Sequence, residues 1–123
     1  MKFRVFEDGK MHYCKEGMWW FFGHNGYWSL NDINENIICD NLESENPVLM
    51  QYSGKKDSNG IEIYDRDLVD IWQGGKFVFG MVVYDKGLMA WMVVNHNNIA
   101  NRIGYLSDYE KIIVKGCKYN NGN

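Results

Sequence analysis

The stretch QYSGKKDSNGIEIYDRDLV, from Gln51 to Val69, carries strand and turn signals close together. It begins in the apolar segment VLMQY and continues into IEIY, whose apolar and polar residues alternate as they do in a strand. Between these segments, DSNG supplies side chains that form Asx turns and a glycine that tolerates a positive φ angle. The stretch therefore predicts two strands joined by a turn, with Asn59-Gly60 at the positive-φ corner.

Two ligand-binding interpretations of the same stretch fail on spacing. A phosphate-binding P-loop has four residues between its glycines and then a lysine that opens a helix. Here five residues separate Gly54 from Gly60, and Ile61 follows. An EF-hand calcium loop would place Lys55 and Arg66 at ligand positions that require carboxylates. The turn is therefore the favoured interpretation.

Short apolar segments separated by Gly, Asn and Asp continue on both sides, which is typical of a β-rich protein. Before the central stretch, KFRVF and MHYC flank Asp8-Gly9, and MWWFF and YWSL flank GHNG, so two hairpins are predicted. After Pro47, five or six strand-like segments occur within about 60 residues, which fits a small barrel or sandwich.

Two segments have sequences that could form short helices. Residues 31–47 are polar and irregular and could contain one short helix, although their Asn and Asp content disfavours it. Ser107 and Glu110 form a capping-box pattern ahead of KIIV, a segment that would suit a helical turn or a strand equally.

The composition describes a folded protein of one domain, or of one domain with two small subdomains, in 123 residues. A net charge of −3 provides no broad cationic field of the kind that most non-specific nucleic-acid binders use. The three cysteines are odd in number and widely spaced, which favours reduced thiols and a cytoplasmic location. Alternating residues after Lys2 and Arg4 predict no secretory leader, and no stretch reaches the roughly 18 apolar residues of a membrane span.

Candidate metal and catalytic residues are few. His12 and Cys14 share one strand face, but a zinc site needs two further ligands. The remaining histidines and cysteines are not paired at finger spacing; they are His24, His96, Cys39 and Cys117. A Cys–His nucleophilic pair stays open, because such partners are distant in sequence, but no oxyanion-type motif adjoins it.

Four acidic side chains near the central turn could be interpreted as a metal cluster; they are Glu62, Asp65, Asp67 and Asp70. Asp65 and Asp67 share one strand face and Asp70 takes the other, so a solvated edge with an ion pair to Arg66 is the favoured interpretation. We expect no structural metal, no cofactor and no catalytic residues.

The amino-terminal aromatic residues raise the strongest binding hypothesis. Trp19, Trp20, Phe21, Phe22, Tyr27 and Trp28 are too many for one face of a small hairpin. No Lys or Arg lies between Met18 and Asp40, which favours packing against another subunit or subdomain over stacking on nucleic-acid bases. The predicted self-association surface consists of Met18, Trp20, Phe22 and Trp28.

The chain resembles the YopX-like proteins of phages and prophages. LMQYSGKKDSNGIEIYDRDLV is similar to their central signature, and KFRVFEDGKMHYC is similar to their opening hairpin. The later segments GMVVYD and RIGYLSD resemble their subsequent strands, so the resemblance covers nearly the whole chain. One departure is Arg66, because the family often has Gly immediately before this Asp. Either the turn does not require a positive φ there, or this chain tolerates the strain.

The resemblance implies a mainly β, α+β fold. With the boundary after Pro47 that the polar, irregular composition of residues 31–47 indicates, this gives a hairpin-rich α+β subdomain over residues 1–47 and an SH3-like β-barrel over 48–117. The terminal residues 118–123 are expected to be frayed. The resemblance implies no activity, because the family is functionally uncharacterised. We therefore expect a non-enzymatic, cytoplasmic phage or prophage accessory protein that acts through protein–protein contact. It would form a homo-oligomer or bind a phage or host protein, and it would not bind a membrane.

The alternative is a nucleic-acid-binding module. In that interpretation the barrel would present the loop lysines Lys55, Lys56, Lys76 and Lys86 to the phosphate backbone. A hydrolase ranks third, because no motif supports it.

Overall fold

The computed structural model describes residues 2–44 and 46–119, and 60% of these residues are in strands. The predicted mainly β class is confirmed. The α part of the expected amino-terminal α+β subdomain is not found: the described residues contain no α-helix, and the first unit has only the 3-10 turn His24–Gly26. Asp32 explains part of this result, because its Oδ1 accepts hydrogen bonds from the backbone N–H of Asn34 and Asn36. Such bonds offer the backbone an alternative to a helix.

Residue contacts divide the chain into two units, Met1–Met50 and Gln51–Asn123. The boundary falls within a strand, whereas the sequence placed it after Pro47. The first unit contains β1 (Phe3–Glu7), β2 (Lys10–Tyr13), β3 (Trp19–Phe22), β4 (Trp28–Asn31), β5 (Ile37–Asp40) and the start of β6 (Val48–Lys56).

Both predicted hairpins are present in the first unit. β1 pairs with β2 across Asp8-Gly9, whose φ angles of 49° and 73° are those of a two-residue hairpin turn. β3 pairs with β4 across the 3-10 turn, and β5 completes a three-stranded sheet in the order β3-β4-β5. The core of this unit is formed by Val5, Trp28, Leu30 and Cys39.

The second unit contains the end of β6 and six further strands: β7 (Glu62–Tyr64), β8 (Asp67–Gln73), β9 (Lys76–Asp85), β10 (Ala90–Asn95), β11 (Asn98–Tyr105) and β12 (Ile112–Cys117). The last five form an antiparallel sheet in the order β11-β10-β9-β8-β12. Alternate residues of the central strands enter two different core clusters: Val82 and Val93 belong to one, and Met81 and Met92 to the other. The strands are therefore apolar on both faces, which explains their nearly continuous hydrophobic sequence.

The KIIV segment is a strand. Ile112 is 1% exposed within the main core cluster, and its backbone N–H donates to Ser58 Oγ. A 3-10 turn, Leu106–Asp108, precedes it without a side-chain cap, so the capping box predicted for Ser107 and Glu110 is not formed. The predicted frayed tail begins directly after β12, and its residues 120–123 lie outside the described part of the chain. Within that part, no helix is long and apolar enough to cross a membrane.

Candidate functional site

The loop at the centre of the sequence is held by a buried carboxylate. Asp57 Oδ1 accepts hydrogen bonds from the backbone N–H of Asn59 and Ile61, each at 2.8 Å. Its Oδ2 accepts a third from the N–H of Val114 at 3.0 Å. Gly60 has a φ angle of 82°, as predicted for the corner. All of these bonds are internal, so the loop is a turn that also joins β12.

Arg66 occupies the position at which the family often has glycine, and its φ angle is 70°. The turn therefore does require a left-handed backbone there, and a residue with a Cβ adopts it. Neighbouring bonds hold this conformation: Arg66 N–H donates to the carbonyl of Val82 at 2.7 Å, and its own carbonyl accepts from Lys118 N–H at 2.9 Å.

The residues considered as zinc ligands have other partners. His12 Nε2 lies 3.1 Å from Glu7 Oε1, and Cys14 Sγ donates to the Met18 carbonyl at 3.3 Å. Across residues 2–44 and 46–119, no three His, Cys, Asp or Glu side chains are grouped closely enough to hold a metal ion.

The thiols of the first unit are poor nucleophiles at neutral pH. Burial raises the pKa of Cys39 to about 11, and the charges of Glu7 and Asp40 act in the same direction. Burial also raises the pKa of Cys14. Because the thiolate is the reactive form, these two cysteines are unsuited to covalent catalysis.

The four acidic residues near the central turn do not converge on one point. Asp65 Oδ1 lies 3.3 Å from Arg66 Nη1, which is the ion pair expected from the sequence. Asp67 Oδ2 accepts from the Tyr64 N–H at 2.8 Å. Glu62 Oε1 accepts from the Tyr64 hydroxyl, and Asp70 Oδ2 lies 4.0 Å from Lys115 Nζ. These carboxylates therefore stabilise local structure.

The predicted self-association residues face mainly inward. Trp28 is in the core of the first unit, and Met18 and Trp20 pack against that core. Trp20 also contacts Phe3 edge-on, with ring centroids 6.0 Å apart. Phe22 alone of the four is strongly exposed, at 52%.

The exposed aromatic surface of the first unit lies mainly on the other side of β3. Trp19 and Phe21 are 42% and 45% exposed, and with Phe22 we call them the β3 patch. Both faces of β3 are apolar, so the sequence of β3 alone could not show which face is exposed. The paired strand β4 does distinguish the two faces, because polar Ser29 and Asn31, although themselves buried, stand opposite Phe21 and Trp19. The apolar residues of β4 mark the core face.

The four candidate lysines do not form one surface. Lys55 and Lys56 end β6 and Lys76 begins β9, so only Lys86 lies in a loop as expected. The ten residues of β9 separate Lys76 from Lys86 by about 30 Å, at roughly 3.3 Å per residue.

A second aromatic surface, which the sequence did not reveal, lies on one face of β8 and β9. Trp72 pairs across the strands with Phe77, and their rings meet edge-on at 5.0 Å. We call Trp72, Phe77 and Phe79 the β8–β9 patch; they are 44%, 41% and 40% exposed. Lys111 Nζ lies 5.0 Å and 5.3 Å from the ring centroids of Trp72 and Phe77. This surface therefore combines aromatic rings with a cation.

Each unit also has a cavity. The first, of about 540 Å³, is lined partly by carboxylates, of which Glu7 contacts His12 and Asp40 accepts bonds from the turn after β5. The second, of about 150 Å³, lies between aromatic side chains and Lys55.

Comparison with known proteins places the chain in a family. It belongs to the YopX protein family, which matches residues 2–122. Its fold is similar to the crystal structure of the protein YopX from Bacillus subtilis, with a TM-score of 0.70 and 25% sequence identity. That alignment covers 97% of this chain and 93% of the Bacillus chain. None of the curated proteins matches this chain. Because the family is uncharacterised, membership supplies a fold and no activity.

Proposed function

We propose that this protein is a non-enzymatic accessory protein of a phage or prophage that acts in the cytoplasm through protein–protein contact and self-associates. The observation that carries the proposal is the β3 patch, three large aromatic side chains left 42–52% exposed on one short strand. Trp19 and Phe21 share one face of β3 and Phe22 lies on the other, and exposed aromatic surface of this kind is typical of interaction sites. The three free cysteines are compatible with a reducing compartment.

The position of β3 suits pairing between two copies. β3 is the outer strand of its sheet, so alternate backbone N–H and C=O groups point away from β4. Such an edge is a template for a further strand. Burial of the exposed part of each aromatic side chain would contribute on the order of 1 kcal/mol. Because no Lys or Arg lies between Met18 and Asp40, no cation of this segment would have to be desolvated.

The absence of an enzymatic role is part of the proposal. It is supported by the raised pKa values of Cys14 and Cys39, which keep both thiols protonated at neutral pH. The acidic residues near the central turn are engaged in local hydrogen bonds and ion pairs.

We also propose that the second unit is an SH3-like barrel. The support is its strand order, in which the last strand, β12, returns to pair with β8, the first strand of the sheet. A 3-10 turn between β11 and β12, at Leu106–Asp108, agrees with that topology. SH3-like barrels serve many unrelated functions, so the topology by itself selects none of them.

Light scattering after gel filtration tests the self-association. The mass should rise from 14.4 kDa toward a multiple of it as the concentration increases. The double variant Trp19→Ser/Phe21→Ser should stay at the monomer mass. The matched control, Trp72→Ser/Phe77→Ser, removes equally exposed aromatic side chains and should associate like the unchanged protein. A monomer mass at every concentration would refute the proposal.

Single-stranded nucleic-acid binding is the second candidate function, and the β8–β9 patch favours it. Aromatic rings beside cations stack on successive bases and attract the phosphate backbone. Lys111 lies over two of the rings, and Lys76 stands opposite Gln73 at the adjacent hairpin end. Of the four lysines predicted for this role, Lys76 alone is retained in the candidate.

Fluorescence anisotropy of a labelled oligonucleotide at two salt concentrations tests this candidate. Binding should weaken as salt rises and should be lost in Trp72→Ser/Phe77→Ser. The β3 double variant then serves as the control and should bind normally. Equal binding by both variants, or none by the unchanged protein, would exclude the β8–β9 patch.

A further inference from the structure

The second cavity has the features of a small ligand site. It has a volume of about 150 Å³ and lies within the second unit. The start of β10, the end of β11 with the following 3-10 turn, and β6 all contribute to it. Its lining consists of Ala90, Trp91, Tyr105, Leu106, Ser107, Ser53 and Lys55.

The size and walls of the cavity suit an apolar ring. A cavity of about 150 Å³ is large enough for benzene. Trp91 is packed against the main core cluster, and Leu106 is 2% exposed, so these two walls are fixed. Tyr105 is 43% exposed and stands at the solvent side. The cavity is therefore open to a ligand from solution and is apolar where a ring would lie.

The charge of the lining selects an anion. Among the described residues, Lys55 is the one ionisable lining group apart from the Tyr105 hydroxyl, and no carboxylate lines the cavity. The Lys55 ammonium makes no ion pair with any residue in the ranges 2–44 and 46–119. The Ser107 hydroxyl, which also lines the cavity, is a hydrogen-bond donor.

We infer that this cavity binds a carboxylate carried on a benzene-sized apolar group. The Lys55 ammonium pairs with the carboxylate, Ser107 donates to it, and Trp91 and Leu106 contact the ring. Either a free aromatic acid or an aromatic residue at the carboxyl terminus of a peptide carries this chemistry. The inference is independent of self-association, because no residue of the β3 patch takes part.

Titration of the ¹⁵N-labelled full chain with benzoate, followed by NMR, tests the site. Benzoate should shift the Trp91 indole N–H and the Ser107 amide with a Kd on the order of 1 mM, as expected of so small a ligand. Benzamide has the same ring without the charge and should bind at least about tenfold more weakly, since it loses the ion pair. No shift at Trp91, or equal binding of benzamide, would overturn the inference.

Adjacent lysines provide the matched variants. Lys55→Gln should weaken benzoate binding at least about tenfold. Lys56→Gln should bind unchanged, because Lys56 does not line the cavity. The amide spectrum of each variant shows whether it is folded. A folded Lys55→Gln protein that binds benzoate normally would overturn the inference.

A second pair of probes distinguishes the two sources of the carboxylate. A short peptide that ends in phenylalanine is titrated with its carboxyl terminus free and then amidated. Tighter binding of the free-acid peptide than of benzoate supports a peptide terminus, and binding of benzoate alone supports a small aromatic acid. Both results support the carboxylate site. Failure of both probes would overturn it.

Discussion

At the scale of single residues, backbone conformation determines the central loop. Arg66 has a φ angle of 70°, in a region that costs an L-residue roughly 1–2 kcal/mol. Its N–H and carbonyl both bond to neighbouring segments, which keeps the residue there despite this cost. Arg66, which stands where the family often has glycine, therefore occupies a strained backbone position.

Replacement of Arg66 by glycine should stabilise the protein. Arg66→Gly removes the Cβ from a left-handed position and should raise the free energy of unfolding by about 1 kcal/mol, or the midpoint temperature by about 4 °C. Arg66→Ala is the control, because it loses the partly exposed ion pair with Asp65 and keeps the strain. Thermal unfolding that finds Arg66→Gly no more stable than Arg66→Ala would contradict this explanation.

Gly60 shows the opposite case, a glycine where the turn requires one. Its φ angle is 82°, and a Cβ at this position would have no atom within 4 Å, so the penalty of Gly60→Val comes from the backbone alone. Urea denaturation should show a loss on the order of 1 kcal/mol or more. Lys55→Ser/Lys56→Ser should be nearly neutral in stability. A costly lysine pair with a harmless Gly60 would mean that the lysine side chains, rather than the backbone conformation at Gly60, stabilise the loop.

At the scale of elements, the central strands of the second unit approach one another closely at Gly80. A Cβ there would lie 2.6 Å from Val93 Cγ1 and 3.0 Å from the Val94 carbonyl oxygen. Gly80→Ala should therefore cost about 1–3 kcal/mol of unfolding free energy through overpacking. Gly87→Ala, in the turn between the same strands, is the control, since its nearest atom is Asp85 Oδ1 at 3.3 Å. Equal unfolding midpoints for the two variants would show that the strands can move apart far enough to accommodate the added Cβ.

The turn after β5 should make the first unit sensitive to acid. The backbone N–H of Glu43 lowers the pKa of Asp40 most, and the Leu42 N–H and the Tyr27 hydroxyl lower it further. Because the folded pKa lies below the unfolded one, Asp40 stabilises the fold above the usual Asp pKa of about 3.9. This stabilisation is lost as the pH falls through the folded pKa.

The variant Asp40→Asn tests this pH dependence. It cannot ionise, so it should be less stable than the unchanged protein at neutral pH, and the difference should shrink as the pH falls below about 4. Urea denaturation at several pH values measures it. A stability difference that does not change with pH would show that the Asp40 charge is not involved.

At the scale of the whole molecule, local sequence patterns predicted the strands and turns, whereas the pairing between strands determined which side chains share an exposed surface. Asp8-Gly9 and Gly60 could be predicted because each turn depends on a few adjacent residues. The exposed face of β3 could not be predicted from WWFF itself, which has no polar residue to distinguish its two sides, and depends on how β3 pairs with β4. The distance between Lys76 and Lys86 follows from the ten-residue length of β9. The β8–β9 patch follows from the strand register, which places Trp72 opposite Phe77.

Amide hydrogen exchange measured at two protein concentrations about a hundredfold apart tests whether β3 pairs between two copies of the protein. The outward N–H groups of β3 should exchange more slowly at the higher concentration, because a partner strand would accept their hydrogen bonds. The amides of β8 and β9 provide the internal control and should exchange equally at both. Concentration-independent exchange throughout β3 would contradict this pairing.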